Sequence, residues 1–161
     1  MKLTFKGGLL IGVLCAIWIF LVGLAGWYKD HVLQAMFWVV ILIQIAVLMW
    51  ALRRIPEGER TFGKVVKDGT IMSVIGGMIL IVASLLFTTI VFPHYFEELR
   101  TLHEQMLLAE GKGPEQIKAE LDMAASMQTP VIQAVSGFIG TVVTGVIASL
   151  VLGFFLRKKS S

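Results

Sequence analysis

The densest group of titratable side chains lies in "HYFEELRTLHE", residues 94 to 104, with His94, Glu97, Glu98, His103 and Glu104. Imidazoles and carboxylates are ligands for zinc and related ions, so the chemistry to weigh there is metal binding. His94 and His103 are nine residues apart, or two and a half helical turns, and so point to opposite sides of one helix. They do not share an ion on a straight helix. His94 and Glu98, four apart, form at most a two-ligand half-site, short of the three protein ligands of a catalytic zinc. A solvated charged face is the better reading, and no metal or cofactor is expected. Glu97, Glu98, Arg100 and Glu104 then become a candidate surface for a protein partner.

Elsewhere the chemistry is thinner. Cys15 is the only cysteine, which excludes an intrachain disulfide and a zinc cluster and leaves a small apolar packing residue. The segment "RRIPEGERTFGKVVKDG", 53 to 69, has no preceding strand and no Gly-Lys-Ser/Thr run, so it is not a phosphate-binding loop. No nucleophile–base pair stands out. Gln34 and Gln44 are the most polar residues of the second apolar run, and only Gln44 is deep. An interhelical hydrogen bond, about 0.6–2 kcal/mol, is its expected role. A non-enzymatic protein is expected.

The elements that must position these residues are long and apolar. The chain has 161 residues, 57% hydrophobic, with a mean hydropathy of +0.83, above the roughly 45–50% apolar content of soluble domains. Residues 7–28, 32–52, 69–93 and 129–156 carry no Asp, Glu, Lys or Arg. Each approaches or exceeds the roughly 20 residues a helix needs to cross the hydrocarbon core. Transmembrane helices are expected at about 7–28, 32–52, 69–93 and 130–156. The first run exceeds the roughly 7–15 apolar residues of a signal peptide and lacks a clean cleavage site, so it is read as retained. No ionisable residue lies at mid-depth, where proton relays and ion paths usually need one.

Placing the N-terminus inside puts Lys2, Lys6, Arg53, Arg54, Arg60, Lys64, Lys67, Arg157, Lys158 and Lys159 on one side, 10 of the 14 basic residues. Lys29, Arg100, Lys112 and Lys118 fall on the other. The positive-inside rule selects this orientation, with both termini cytoplasmic. The basic balance thus reflects membrane topology, and no nucleic-acid partner is expected. Trp27, Tyr28, Trp50, Phe92 and Tyr95 fall at the run ends, where aromatic side chains anchor to the membrane surface.

The "KDH" turn at 29–31 makes the first two helices antiparallel neighbours. Thr61 is placed to cap a helix leading into the third run, and the basic residues around it favour anionic lipid. Residues 94 to 128 read as an external helical hairpin. Tyr95, Leu99, Leu102, Met106 and Ala109 form one apolar stripe, "GKG" breaks the helix, and Pro114 starts a second one carrying Ile117, Leu121 and Ala124.

The last run contains "SGFIGTVVTGVIAS", with small residues every four positions: Ser136, Gly140, Thr144 and Ala148 on one ridge, Gly137, Thr141, Gly145 and Ser149 on the next. Glycine costs a helix about 1 kcal/mol relative to alanine, but in lipid small residues let backbones approach closely. Both ridges are expected to pack on neighbours, which makes the fourth helix central to the bundle or shared with a partner. Gly8, Gly12 and Ala16 on the first helix, and Ser73, Gly76, Gly77 and Ser84 on the third, form comparable smooth patches.

A basic start, a tight first hairpin, "TFGKVVKDG" before helix three, "FPHYFEE", "AASM" and a Gly-rich last helix ending "LRKK" together resemble domain of unknown function 4199, a group of small bacterial membrane proteins. Thr61, Phe62, Gly63 and Gly69 carry the most local part of the resemblance. It implies four membrane helices and supplies no catalytic residues. The expected object is an all-α, four-helix integral membrane bundle of the bacterial inner membrane, N-in and C-in, with a periplasmic helical hairpin between helices 3 and 4, residues 1–161 forming a single membrane domain. Its expected role is an accessory or structural subunit of a membrane assembly, touching lipid and a protein partner or further copies of itself. A small oligomeric transporter or channel is the alternative.

Overall fold

A computed structural model describes residues 2–30 and 32–156. His31, the Gln34 side chain and the basic run Arg157, Lys158 and Lys159 lie outside the described residues. The chain is all-α there: α1 (Lys2–Leu24), α2 (Val39–Leu52), α3 (Phe62–Leu86), α4 (Tyr95–Ala109), α5 (Pro114–Met127) and α6 (Pro130–Leu156). Four segments are long and apolar enough to cross a membrane: Lys2–Leu24, Ala35–Leu52, Phe62–Val91 and Pro130–Leu156.

Local chemistry sets the helix ends. Gly26 closes α1 in the left-handed region, φ 69°, which glycine enters without steric cost. Asp30 Oδ1 accepts from the backbone N–H groups of Val32 (2.8 Å) and Leu33 (3.2 Å), so the short turn carries its own cap. The second span opens as a tight 3₁₀ turn over Leu33–Trp38 before it becomes α2. Thr61 caps α3 by accepting from the Lys64 N–H, so α3 begins well before the uncharged run does. It widens into a π turn at Phe87–Val91 ahead of Pro93, whose ring disfavours helical geometry at Phe92. Gly111, φ 74°, ends α4; its N–H reaches Leu108 O (3.0 Å) and the Lys112 N–H reaches Leu107 O (3.2 Å), the paired bonds of a Schellman cap.

The four spans close a ring: α1 against α2 and α3, and α6 against α3 and α2. Ile11, Leu48, Leu52, Val65 and Met72 are fully buried inside it. The tightest seams involve α3, one against α1 and one against α6. Toward α1, a Cβ on Gly8 would lie 2.7 Å from Ile75 Cβ, one on Gly12 2.6 Å from Ile79 Cβ, and one on Gly76 2.8 Å from Ile11 Cγ2. These pairs rise together along both helices, so α1 and α3 run parallel. Toward α6, Gly69 faces Ser149, Ser73 faces Gly145, and Gly77 faces Phe138; here one number falls as the other rises, and the pair is antiparallel. Helix α3 is smooth on two faces, whereas α6 uses only part of its smooth surface.

Overpacking should therefore discriminate between glycines. Gly76→Leu and Gly145→Leu each insert a side chain where a Cβ already collides, and should cost about 1–3 kcal/mol or more. A Cβ on Gly140 meets nothing within 4 Å, so Gly140→Leu should not lower thermal stability in detergent. Equal losses at all three sites would show that the N-terminal half of α6 is packed as well.

Candidate functional site

Halfway along the bundle, Gln44 is 3% exposed. Its Nε2 donates to the backbone carbonyl of Thr141 on α6 at 2.7 Å and to Ser73 Oγ on α3 at 3.3 Å. Ser73 Oγ donates in turn to Gly69 O at 2.9 Å. Gly145 makes this possible: a Cβ there would lie 2.9 Å from Gln44 Nε2 and would collide with Ser73. One amide thus ties three helices through a gap left by a missing side chain. Other hydroxyls turn back to their own helices, Thr70 to Val66 O, Thr88 to Ser84 O and Thr141 to Gly137 O. Ser149 Oγ, fully buried against Gly69, makes no hydrogen bond among the described residues.

The small-residue ridges of α6 divide by depth. Gly145 and Ala148 are buried, whereas Ser136, Gly137 and Gly140 are exposed, and a Cβ on either glycine meets nothing within 4 Å. Thr141 and Thr144 are half-buried at the transition. Among the described residues, the ridge is buried at Gly145, Ala148 and Ser149 and open at Ser136, Gly137 and Gly140.

At the other end of α3, an aromatic cluster seats α4 on the bundle. Tyr28, Phe87 and Tyr95 are buried, with Tyr28 and Tyr95 rings 5.1 Å apart and Phe87 and Phe92 rings 4.6 Å apart. Tyr28 Oη donates to Glu98 Oε2 at 2.5 Å, and Lys29 Nζ lies 3.0 Å from the same oxygen. The Tyr28 hydrogen bond and then Lys29 hold the Glu98 carboxyl below its ordinary value. Burial and then Glu98 push the Tyr28 phenol up. Sequence reasoning treated Tyr28 as a surface anchor; its partner lies 70 residues away, and no local pattern announces the pairing.

The remaining polar candidates do not converge. His94 Nδ1 pairs with Glu97 at 2.8 Å while Glu98 is turned to Tyr28, so the His94–Glu98 half-site does not form. Among the described residues no three His, Cys, Asp or Glu side chains are placed to hold a metal. Arg100 lies 3.8 Å from Asp122 on α5, and Glu104 is exposed. The apolar stripe of α4 is split: Tyr95 docks on the bundle, but Leu107, outside the stripe, packs on Ile117 and Leu121 of α5.

A carboxyl whose folded-state pKa lies below its unfolded value contributes stability above the unfolded value, about 4.3 for Glu, and loses it as pH falls through the folded one. The Tyr28–Glu98–Lys29 clasp should therefore hold at neutral pH and loosen below about pH 4, by about 1 kcal/mol or less, since the ion pair is part-exposed. Hydrogen exchange should show α4 losing protection between pH 7 and pH 3.5 beyond the intrinsic rate change. In Glu98→Gln the protection of α4 should be lower at pH 7 and should not change further with pH once the intrinsic rate is divided out; an unchanged profile would remove Glu98 from the docking.

No curated protein and no solved structure matches this chain. A family comparison does: residues 6–158 match "Protein of unknown function (DUF4199)", and with nearly its whole length covered, the chain belongs to the DUF4199 family.

Proposed function

We propose that this multi-pass protein is a non-enzymatic accessory or structural subunit of an assembly in the bacterial inner membrane. Its termini are cytoplasmic, and the α4–α5 pair is a periplasmic hairpin offering Glu97, Arg100 and Glu104 to a partner. The observation that carries the reading is how polarity is spent inside the spans. Gln44 Nε2 joins α2, α3 and α6, Ser73, Thr88 and Thr141 bond to their own helices, and Ser149 Oγ, without a hydrogen bond among the described residues, is closed in against Gly69. A conducting path needs polar groups free to replace water. The ten-to-four distribution of basic residues supports the orientation. The uncovered outer ridge of α6, Ser136, Gly137 and Gly140, supports a further helix packing from outside the chain.

Orientation is tested by fusing a reporter active only in the cytoplasm. It should be active after Ser161 and silent at Gly111; the reverse result overturns the topology.

The role is tested by mild-detergent purification and by reconstitution in liposomes. A larger membrane protein should co-purify, be lost on deletion of 94–128 while the four spans still insert, and no ion or small-solute flux should exceed that of empty liposomes. Flux that disappears in Thr144→Val would replace this reading with an oligomeric pore lined by α6.

A further inference from the structure

Helix α4 leans over the start of the second span and leaves a groove of about 640 Å³ between them. That volume falls within the range of about 300–1,000 Å³ typical of small-molecule sites. One wall is Phe37 and Trp38; the other is Leu102, His103 and Met106, with Gln128 also lining the space. Among the described residues no carboxylate, lysine or arginine lines it, although α4 carries Glu97, Glu98, Arg100 and Glu104. Leu102 and Met106 belong to the apolar stripe that α5 does not cover, because Leu107 makes that contact instead. Met106 is 37% exposed.

The wall formed by Trp38 indicates what covers the stripe. Trp38 lies in the membrane-spanning segment Ala35–Leu52 and is 70% exposed; Leu42, one turn deeper, is 65% exposed. The groove is therefore continuous with the lipid-facing side of the second span. An uncharged hydrocarbon reaches it along that face without leaving apolar contact, and a protein ligand would need no such path. Tyr28 and Tyr95 also line the groove, with the Tyr28 hydroxyl turned to Glu98; His103 and Gln128 add hydrogen-bonding side chains of the kind that orient a ligand within a pocket. A lipid ester oxygen matches their N–H donors.

We infer that this groove is a lipid site: one acyl chain of a bilayer phospholipid lies between Trp38 and the Leu102–Met106 stripe, with its ester oxygens at His103 and Gln128. The inference rests on the membrane-spanning reading and is independent of the accessory role.

The test uses the full chain in nanodiscs of phosphatidylethanolamine and phosphatidylglycerol. A phosphatidylethanolamine carrying a diazirine on one acyl chain is added, irradiated, and its adducts are mapped by mass spectrometry. Adducts on Leu102 or Met106 should saturate as the probe fraction rises, whereas those on the outward-facing Ile139 and Ile147 of α6 should rise in proportion. Leu102→Trp, which fills the groove, should reduce the α4 adducts at least tenfold and leave the α6 adducts unchanged. Met106→Glu, on the exposed side, repeats the comparison if Leu102→Trp fails to insert. Absent or non-saturating adducts on α4 would overturn the site, as would crosslinks showing the groove filled by another protein chain. Loss of the α6 adducts as well would instead overturn the membrane-spanning reading on which the site depends.

Discussion

Close backbone approach along two faces of α3 is the constraint on which the bundle depends. In lipid, bringing two apolar helices together removes little apolar surface from water, so the usual driving force is weak and packing must supply the association. Packing is strongest where nothing separates the helices. Gly8 and Gly12 admit Ile75 and Ile79, Gly76 admits Ile11, and Gly145 admits Ser73. Each seam alternates a missing side chain on one helix with a branched or hydroxylated one on the other. A ridge thus enters a groove, and the contact is specific in register as well as in partner. The intrinsic helical cost of these glycines, about 1 kcal/mol each, is offset because every backbone polar group in a span must in any case be bonded within its helix.

This constraint explains which features were legible in the sequence. The four spans follow from uncharged runs, since a charge at mid-depth is costly whatever the packing. Local end signals were also readable: Thr61 caps α3 and Pro114 starts α5, because a cap depends on residues three or four apart. The centrality of α3 was not readable. Its small residues, Gly69, Ser73, Gly76 and Gly77, are less regularly spaced than those of α6, yet they serve two seams of different direction, and period alone does not reveal a second face. The same limit hid the division of the α6 ridge: Gly137 and Gly145 look alike in sequence, yet a Cβ on the first meets nothing within 4 Å and one on the second collides with Ser73.

The end of the bundle at Tyr28 and Tyr95 follows a different rule, because charged side chains gather there. There α4 is seated by an aromatic cluster and by the Tyr28–Glu98–Lys29 clasp, groups that would be costly in the hydrocarbon and are affordable at its edge, where Tyr presents an apolar body and a polar tip. The π turn at Phe87–Val91 belongs to this arrangement: it carries Phe87 inward and closes with a bond from the Phe92 N–H to Phe87 O at 2.8 Å, which brings both rings beside Tyr28 and Tyr95. Sequence periodicity assumes a uniform helix, so a one-residue widening of this kind changes which side chains meet.

Helix α2, Val39 to Leu52, contains no glycine of its own. Directional bonds along its length add to the packing. Trp18 Nε1 on α1 donates to Met36 O at 2.8 Å just before α2 begins. Gln44 reaches α3 and α6 in the middle. Arg60 donates to Arg53 O at 2.6 Å and Ile55 O at 2.7 Å, satisfying carbonyls just past the end of α2. At mid-bundle, where water is scarce, an unpaired donor or carbonyl would be costly. The bundle is therefore assembled by two means suited to lipid, contact without side chains around α3 and hydrogen bonds at fixed points along α2. The second leaves α2 with exposed flanks at Trp38 and Leu42, the side on which lipid meets the protein.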